Sequence, residues 1–241
     1  NTITNAFKAD LRTKATGSNM GASDILETFV IHGQTSASIS AQNAEEARIL
    51  IQFDLNKISS DRSAGTIPAS GSVNFYLKMF NAAHADTTPE NLTLDVKILS
   101  ASWDEGRGLD MENYTDIGKC NWVSASSTTA WATTGSDYHA LTAVNNFSGS
   151  VTFVKGNEDL ELEVTPAVEN WLDGTKTNYG FLLKQTQAAI TGSSGSLFTK
   201  MFHGRSTEFV MQKPVIEARW DDSRKDQRGS FILSSSVLSS E

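Results

Sequence analysis

The chain has one cysteine, Cys120, so a disulfide within it is impossible and a cysteine metal cluster is excluded. Cys120 stands before Asn121 and Trp122 in a polar stretch with no histidine close by in sequence, which reads as an ordinary free thiol. The four histidines, His32, His84, His139 and His203, include no two at zinc-ligand spacing. There is no Gly-Xaa-Ser-Xaa-Gly elbow and no phosphate-cradling glycine loop. Only 4 prolines and 17 glycines occur in 241 residues, which excludes a collagen-like or linker-like chain. No apolar run approaches the roughly 18 residues that span a bilayer, and the opening stretch NTITNAFKADLRTKATG has no apolar signal core. Basic charge is in deficit: net charge is −8 and pI about 5.0, which argues against general nucleic-acid binding. The small cluster of Arg224, Lys225 and Arg228 reads as solvated surface. Helical periodicity is also scarce. Neither nucleic acid nor membrane is therefore expected as a partner.

What is present is apolar residues in alternation. Hydrophobic residues are 39% of the chain, with 12 Phe and 5 Trp, enough for a substantial core. The segments 24–32, 48–55, 72–80, 92–103, 150–155, 159–165, 178–185, 197–204 and 214–220 read as strands. In 92–98, Leu92, Leu94, Val96 and Ile98 alternate with Thr93, Asp95 and Lys97, predicting a sheet with one wet face. In 48–55, Ile49, Ile51, Phe53 and Leu55 share one face, while the other is apolar only at Leu50. A single helix is predicted after 165. Thr165 suits the N-cap and Pro166 the first helical position, Ala167, Val168, Trp171 and Leu172 form a stripe, and Gly174 can end it. Short strands without a βαβ rhythm predict an all-β antiparallel sandwich, jelly-roll-like, over residues 1–220. Residues 221–241 look like an extension outside that core. There Phe231, Ile232 and Leu233 would contact a partner, for instance as an arm on a neighbouring sheet edge, with a disordered tail as the equal alternative.

The stretch 104–146 is polar and irregular, and long loops of this kind often carry contacts. Asp104, Glu105, Asp110, Glu112 and Asp116 crowd into it. Two carboxylates are the minimum for glycoside hydrolysis, but solvated loop charges are the simpler reading, and no enzyme is expected. Asp104, Glu105, Asp110 and Glu112 are weak Ca²⁺ candidates, hard oxygen ligands without EF-hand spacing. No other cofactor is expected. Trp122, Trp131 and Tyr138 are candidate glycan or partner contacts, since a glycan takes a flat aromatic face beside polar groups. For Trp122 and Trp131, loop anchoring is an equal alternative. Trp103 and Trp171 are candidates for the core, Trp171 by its helical stripe.

The ordered segments NMGASDILE, RILIQFDLNKI, NFYLKMFNA, LDVKILSASWDEG, LELEVTPAVENWLDGTKTNYGFLLK and PVIEARW resemble the DNRLRE family of β-sandwich domains across most of 19–220. That family is similar in fold to carbohydrate-binding modules. The chain departs from it at FHGRST, where Arg205 is kept and Glu208 is displaced. The two ends, NTITNAFKADLRTKATGSNMGASDILE and PVIEARWDDSRKDQRGSFILSSS, also resemble the termini of an N-terminal module in structural proteins of marine tailed bacteriophages. In those proteins the chain continues further. The resemblance implies a non-catalytic virion component, of the head, neck, tail or fibre, whose partners are other virion proteins or copies of itself. The alternative is an extracellular glycan-binding module.

Overall fold

The structure is a computed structural model. It describes residues 2–4, 16–36, 39–83, 90–109, 118–141, 147–190 and 197–223, the side chains of 4, 32–36, 39–44, 197 and 198 excepted. The fold is all-β, with 35% strand and 14% helix, and its antiparallel sheets curl into a half-barrel of sandwich type. No described helix is long and apolar enough to cross a membrane.

The period-two segment forms β5 (Leu92–Ile98), with Leu92, Leu94, Val96 and Ile98 buried and the intervening side chains partly exposed. It lies between β6 (Gly149–Phe153) and β8 (Phe181–Gln185) in the larger sheet. Next come β3 (Ile39–Ile51), β2 (Ile25–Ser36) and β9 (Leu197–His203), while β1 (Thr2–Thr4) pairs with β3. The smaller sheet holds β4 (Asn74–Met79) between β10 (Val215–Arg219) and β7 (Leu160–Glu163). Phe75, Leu77 and Met79 of β4 face Leu94, Val96, Phe181 and Leu183 across the main core. Such burial contributes about 1.5–3 kcal/mol for each large apolar side chain.

Several strands differ from the sequence reading at their ends: β5 stops at Ile98, short of Trp103, β8 starts at Phe181, after Asn178, and β2 runs on to Ser36. β3 begins nine residues before Arg48, in polar sequence that carries no alternation, and it ends at Ile51. Phe53 and Leu55 leave the strand but still pack against the core. A second helix, α1 (Asn56–Ser63), follows where a polar stretch was expected. It buries no residue fully and is tied down by charge: Arg62 grips Glu169 at 2.6 and 2.7 Å and lies over the Phe75 ring at 5.6 Å.

The predicted helix is α2 (Thr165–Leu172), with Ala167, Val168 and Trp171 buried as expected and the Trp171 ring 4.8 Å from Phe181. Its start needs correcting: Val164, not Thr165, holds the N-cap position. The Thr165 hydroxyl turns away from the helix, accepting Phe75 N–H at 2.9 Å and donating to Glu163 at 3.0 Å. This anchors α2 to β4 instead of capping it. A short helix, α3 (Gln187–Ile190), follows β8.

β8 is buried along its whole length. Phe181 and Leu183 enter the main core, while Leu182 points into a second cluster with Ile3, Leu50, Leu99, Cys120, Ala125, Trp122 and Trp131. The irregular segment 118–141 therefore covers the outer face of the larger sheet. Of the predicted arm, residues 224–241, with Phe231, Ile232 and Leu233, lie outside the described residues.

Candidate functional site

One end of the sandwich opens into a cavity of about 760 Å³. It forms where β3 gives out at Ile51 and the chain turns past Gln52, Phe53 and Asp54 towards α1. Gly180 makes that junction possible. Its φ is +88°, and a Cβ there would meet Ile51 O at 2.2 Å, so only glycine lets β8 enter beside β3 at this point. Asn178 knits the same corner. Its Nδ2 donates to Phe53 O at 2.8 Å, its Oδ1 accepts Gly180 N–H at 3.1 Å, and its carbonyl accepts Gln52 Nε2 at 2.8 Å.

The opposite wall comes from the loop after β5. Trp103 is half-buried, with its indole N–H donating to Tyr179 O at 2.9 Å. Glu105 reaches across to Arg205 at 2.7 Å, a pair exposed enough to exchange partners. Buried Asn19 fixes the loop by accepting Gly21 N–H at 3.2 Å and Gly108 N–H at 3.0 Å. The cavity thus has an apolar floor of Leu26, Leu50, Phe53 and Trp171, and a rim of Gln52, Asp54, Glu105, Asn178 and Arg205. An apolar floor under a few fixed polar groups suits a small or extended polar ligand.

No protein-family model matches the chain, and no curated protein matches it. The DNRLRE and bacteriophage resemblances accordingly remain readings of the sequence, and the weight falls on geometry.

The structure redistributes the predicted site residues. Trp122 and Trp131 are 8% and 5% exposed, so neither offers an open face to a glycan. They are loop anchors: Trp131 Nε1 donates to Asn121 O at 2.8 Å, and Trp122 stacks under the Arg48 guanidinium at 4.7 Å. Tyr138 is 38% exposed, with the Lys184 ammonium 5.6 Å from its ring. Asp104 is exposed, and its backbone joins the loop cover, its N–H donating to Ala125 O at 3.0 Å and its carbonyl accepting Cys120 N–H at 2.9 Å. Glu105 pairs with Arg205 at the cavity rim. Asp110 and Glu112 lie outside the described residues. Among the described residues no three acidic, histidine or cysteine side chains are grouped to hold a metal.

Beneath the loop cover sits a charge cluster with no sequence signal. Arg48 binds Glu46 bidentately at 2.7 and 3.0 Å and donates to Gly135 O at 2.7 Å. Lys184 is buried nearby, and burial first, then the Arg48 charge, pull its amine below the usual lysine range.

A third surface lies beside β10. Phe209, Val210 and Met211 are 54%, 72% and 86% exposed in succession, and Val215 at the start of the strand and Trp220 just after it are also open. The outward face of the same sheet is ionic, with Lys78, Glu161, Glu217 and Arg219 linked across β4, β7 and β10.

Proposed function

We propose that the chain is a non-catalytic structural module of a virion that works by docking against its neighbours. The observation that carries this is the unbroken exposed run Phe209–Val210–Met211 beside the edge strand β10. Single exposed apolar residues are normal, whereas contiguous ones next to an unpaired strand edge are a contact surface. β10 pairs with β4 on one side, and the exposed apolar run supplies anchors for a partner on the other. The ionic face formed by Lys78, Glu161, Glu217 and Arg219 would keep that contact from spreading over the sheet.

Sedimentation of the full chain over a range of concentrations tests this. The wild type is expected to self-associate, and a Val210→Asp, Met211→Asp double variant to remain monomeric. A wild type that stays monomeric and is not recovered with assembled particles would overturn the reading.

The cleft favours a second reading, an extracellular glycan-binding module. Trp103 lies there among Gln52, Asn178, Glu105 and Arg205, the neighbours a sugar hydroxyl needs. A glycan screen should then show saturable binding that Arg205→Ala and Glu105→Gln weaken. A flat screen removes it.

A further inference from the structure

β9 carries a lysine where an apolar residue belongs. Lys200 alternates with Phe202 on the core-facing side, and no part of it reaches solvent. Its Nζ donates to Asn81 Oδ1 at 2.6 Å, to Glu158 O at 2.7 Å and to Gly156 O at 2.8 Å. The ammonium also lies 4.4 Å from the Phe153 ring centroid and 5.2 Å from that of Phe202. Burial lowers its pKa to about 8, against the opposing charges of Glu158 and Asp159. A substantial neutral-amine fraction is therefore present at mildly alkaline pH.

Asn81 follows β4 in the smaller sheet and bridges Phe202 in the larger one. Its backbone N–H donates to Asp159 Oδ1 at 2.8 Å. The neighbouring Glu158 has a buried carboxylate oxygen, Oε2, without a hydrogen-bond partner among the described residues. The Lys200 amine thus meets the Asn81 carboxamide where the two sheets come together, with the amine against the Phe153 and Phe202 rings and the Glu158 and Asp159 carboxylates beside the pair on its more open side.

We propose that Lys200 and Asn81 are the two ends of an intramolecular isopeptide bond that staples the sheets together. The neutral Lys200 Nζ attacks Asn81 Cγ, and the carbonyl electrons move onto Oδ1. The proton shed by Nζ passes to Asp159, whose carboxylate already accepts the Asn81 backbone N–H and would turn to the side chain, and from it to Asn81 Nδ2. The Cγ–Nδ2 bond then breaks as the carbonyl re-forms, and ammonia leaves. One amide replaces another, so no oxidant, reductant or cofactor is needed. Placing the groups in contact supplies the entropy that makes amide exchange slow in solution. The bond would close a loop between residues 119 positions apart, which restricts the unfolded chain strongly.

Intact mass spectrometry of the purified full chain tests this directly. The wild type is expected to weigh one ammonia less than its sequence. Proteolysis should release a branched peptide joining the Asn81 and Lys200 fragments. Lys200→Met and Asn81→Ala should each restore the unlinked mass, and Asp159→Ala should leave a mixture that converts slowly. The wild-type measurement needs no variant to fold. A wild-type mass equal to the sequence mass, even after long incubation above the amine's pKa, would mean a hydrogen-bonded pair only and overturn the proposal. An ammonia loss that maps to any other asparagine would do the same.

Discussion

Replacing Trp131 by alanine separates an anchor from a ligand platform. Trp131 is 5% exposed and packs with Ile3, Leu50, Leu99, Trp122 and Leu182 on the outer face of the larger sheet. Removing a buried tryptophan costs about 3–5 kcal/mol, including about 1 kcal/mol for its hydrogen bond to Asn121 O. The main core lies on the other side of the sheet, so most of this loss should fall on local opening of the 118–141 cover. Cys120 is an ideal reporter, because it is the chain's single cysteine, fully buried, and part of the same cluster. In the limit of fast reclosing, thiol labelling follows the opening equilibrium. A change of 3–5 kcal/mol then raises the labelling rate roughly 10²- to 10³-fold or more, up to the rate of a free thiol. The assay is the rate of reaction with a chromogenic disulfide, with circular dichroism confirming that the sheets persist. An unchanged labelling rate in a folded Trp131→Ala variant would refute the assignment of this residue as an anchor.

Three further outcomes follow from particular contacts. Gly180→Ala forces a left-handed φ of +88° and a clash with Ile51 O, and should lower stability by about 3 kcal/mol or more, seen as a reduced denaturation midpoint at unchanged slope. Arg48→Met removes the bidentate partner of the buried Glu46 carboxylate and should cost about 3–5 kcal/mol, much of it recovered by adding Glu46→Gln; no recovery would place the loss elsewhere. Burial raises the Glu27 carboxyl above its ordinary value of 4.5, so the native state holds the proton more tightly, and stability falls as pH rises from there through the folded pKa. Glu27→Gln should therefore raise Tm at neutral pH, with a gain that shrinks towards about pH 4; a gain independent of pH would rule out the buried charge as its source.

Legibility in the sequence followed solvation. β5 was readable because its two faces meet different surroundings, and period two reports that contrast. β8 showed no alternation because both its faces are covered, and α1 showed no stripe because ion pairing to Glu169 holds it. The polar setting of Trp122 and Trp131 concealed their burial, yet a signal was present. Leu50 is apolar on an otherwise polar strand face, and Leu182 lies in the same cluster. The cleft was harder to find, since Gln52, Asp54, Glu105, Asn178 and Arg205 come from separate segments. Asn178, Tyr179 and Gly180 read as the start of a strand, which hid the corner that they build before β8 begins at Phe181.

These two regions, the loop cover and the cleft, are mechanically one. Trp103 packs against the second cluster and also lines the cavity, so it belongs to both. The adjacent Asp104 is held through its backbone to Ala125 and Cys120, inside the segment that Trp131 anchors. Loosening the cover must therefore loosen the cavity wall that carries Trp103 and Glu105. The exposed run Phe209, Val210 and Met211 sits on the segment that joins the two sheets, with the Phe209 ring 5.6 Å from that of His203 on β9 and with Arg205, a few residues earlier, paired to Glu105 of the cavity wall. A perturbation at Trp131 should therefore disturb any ligand in the cleft, because the second cluster, the cover and the wall that carries Trp103 and Glu105 are held by one set of contacts.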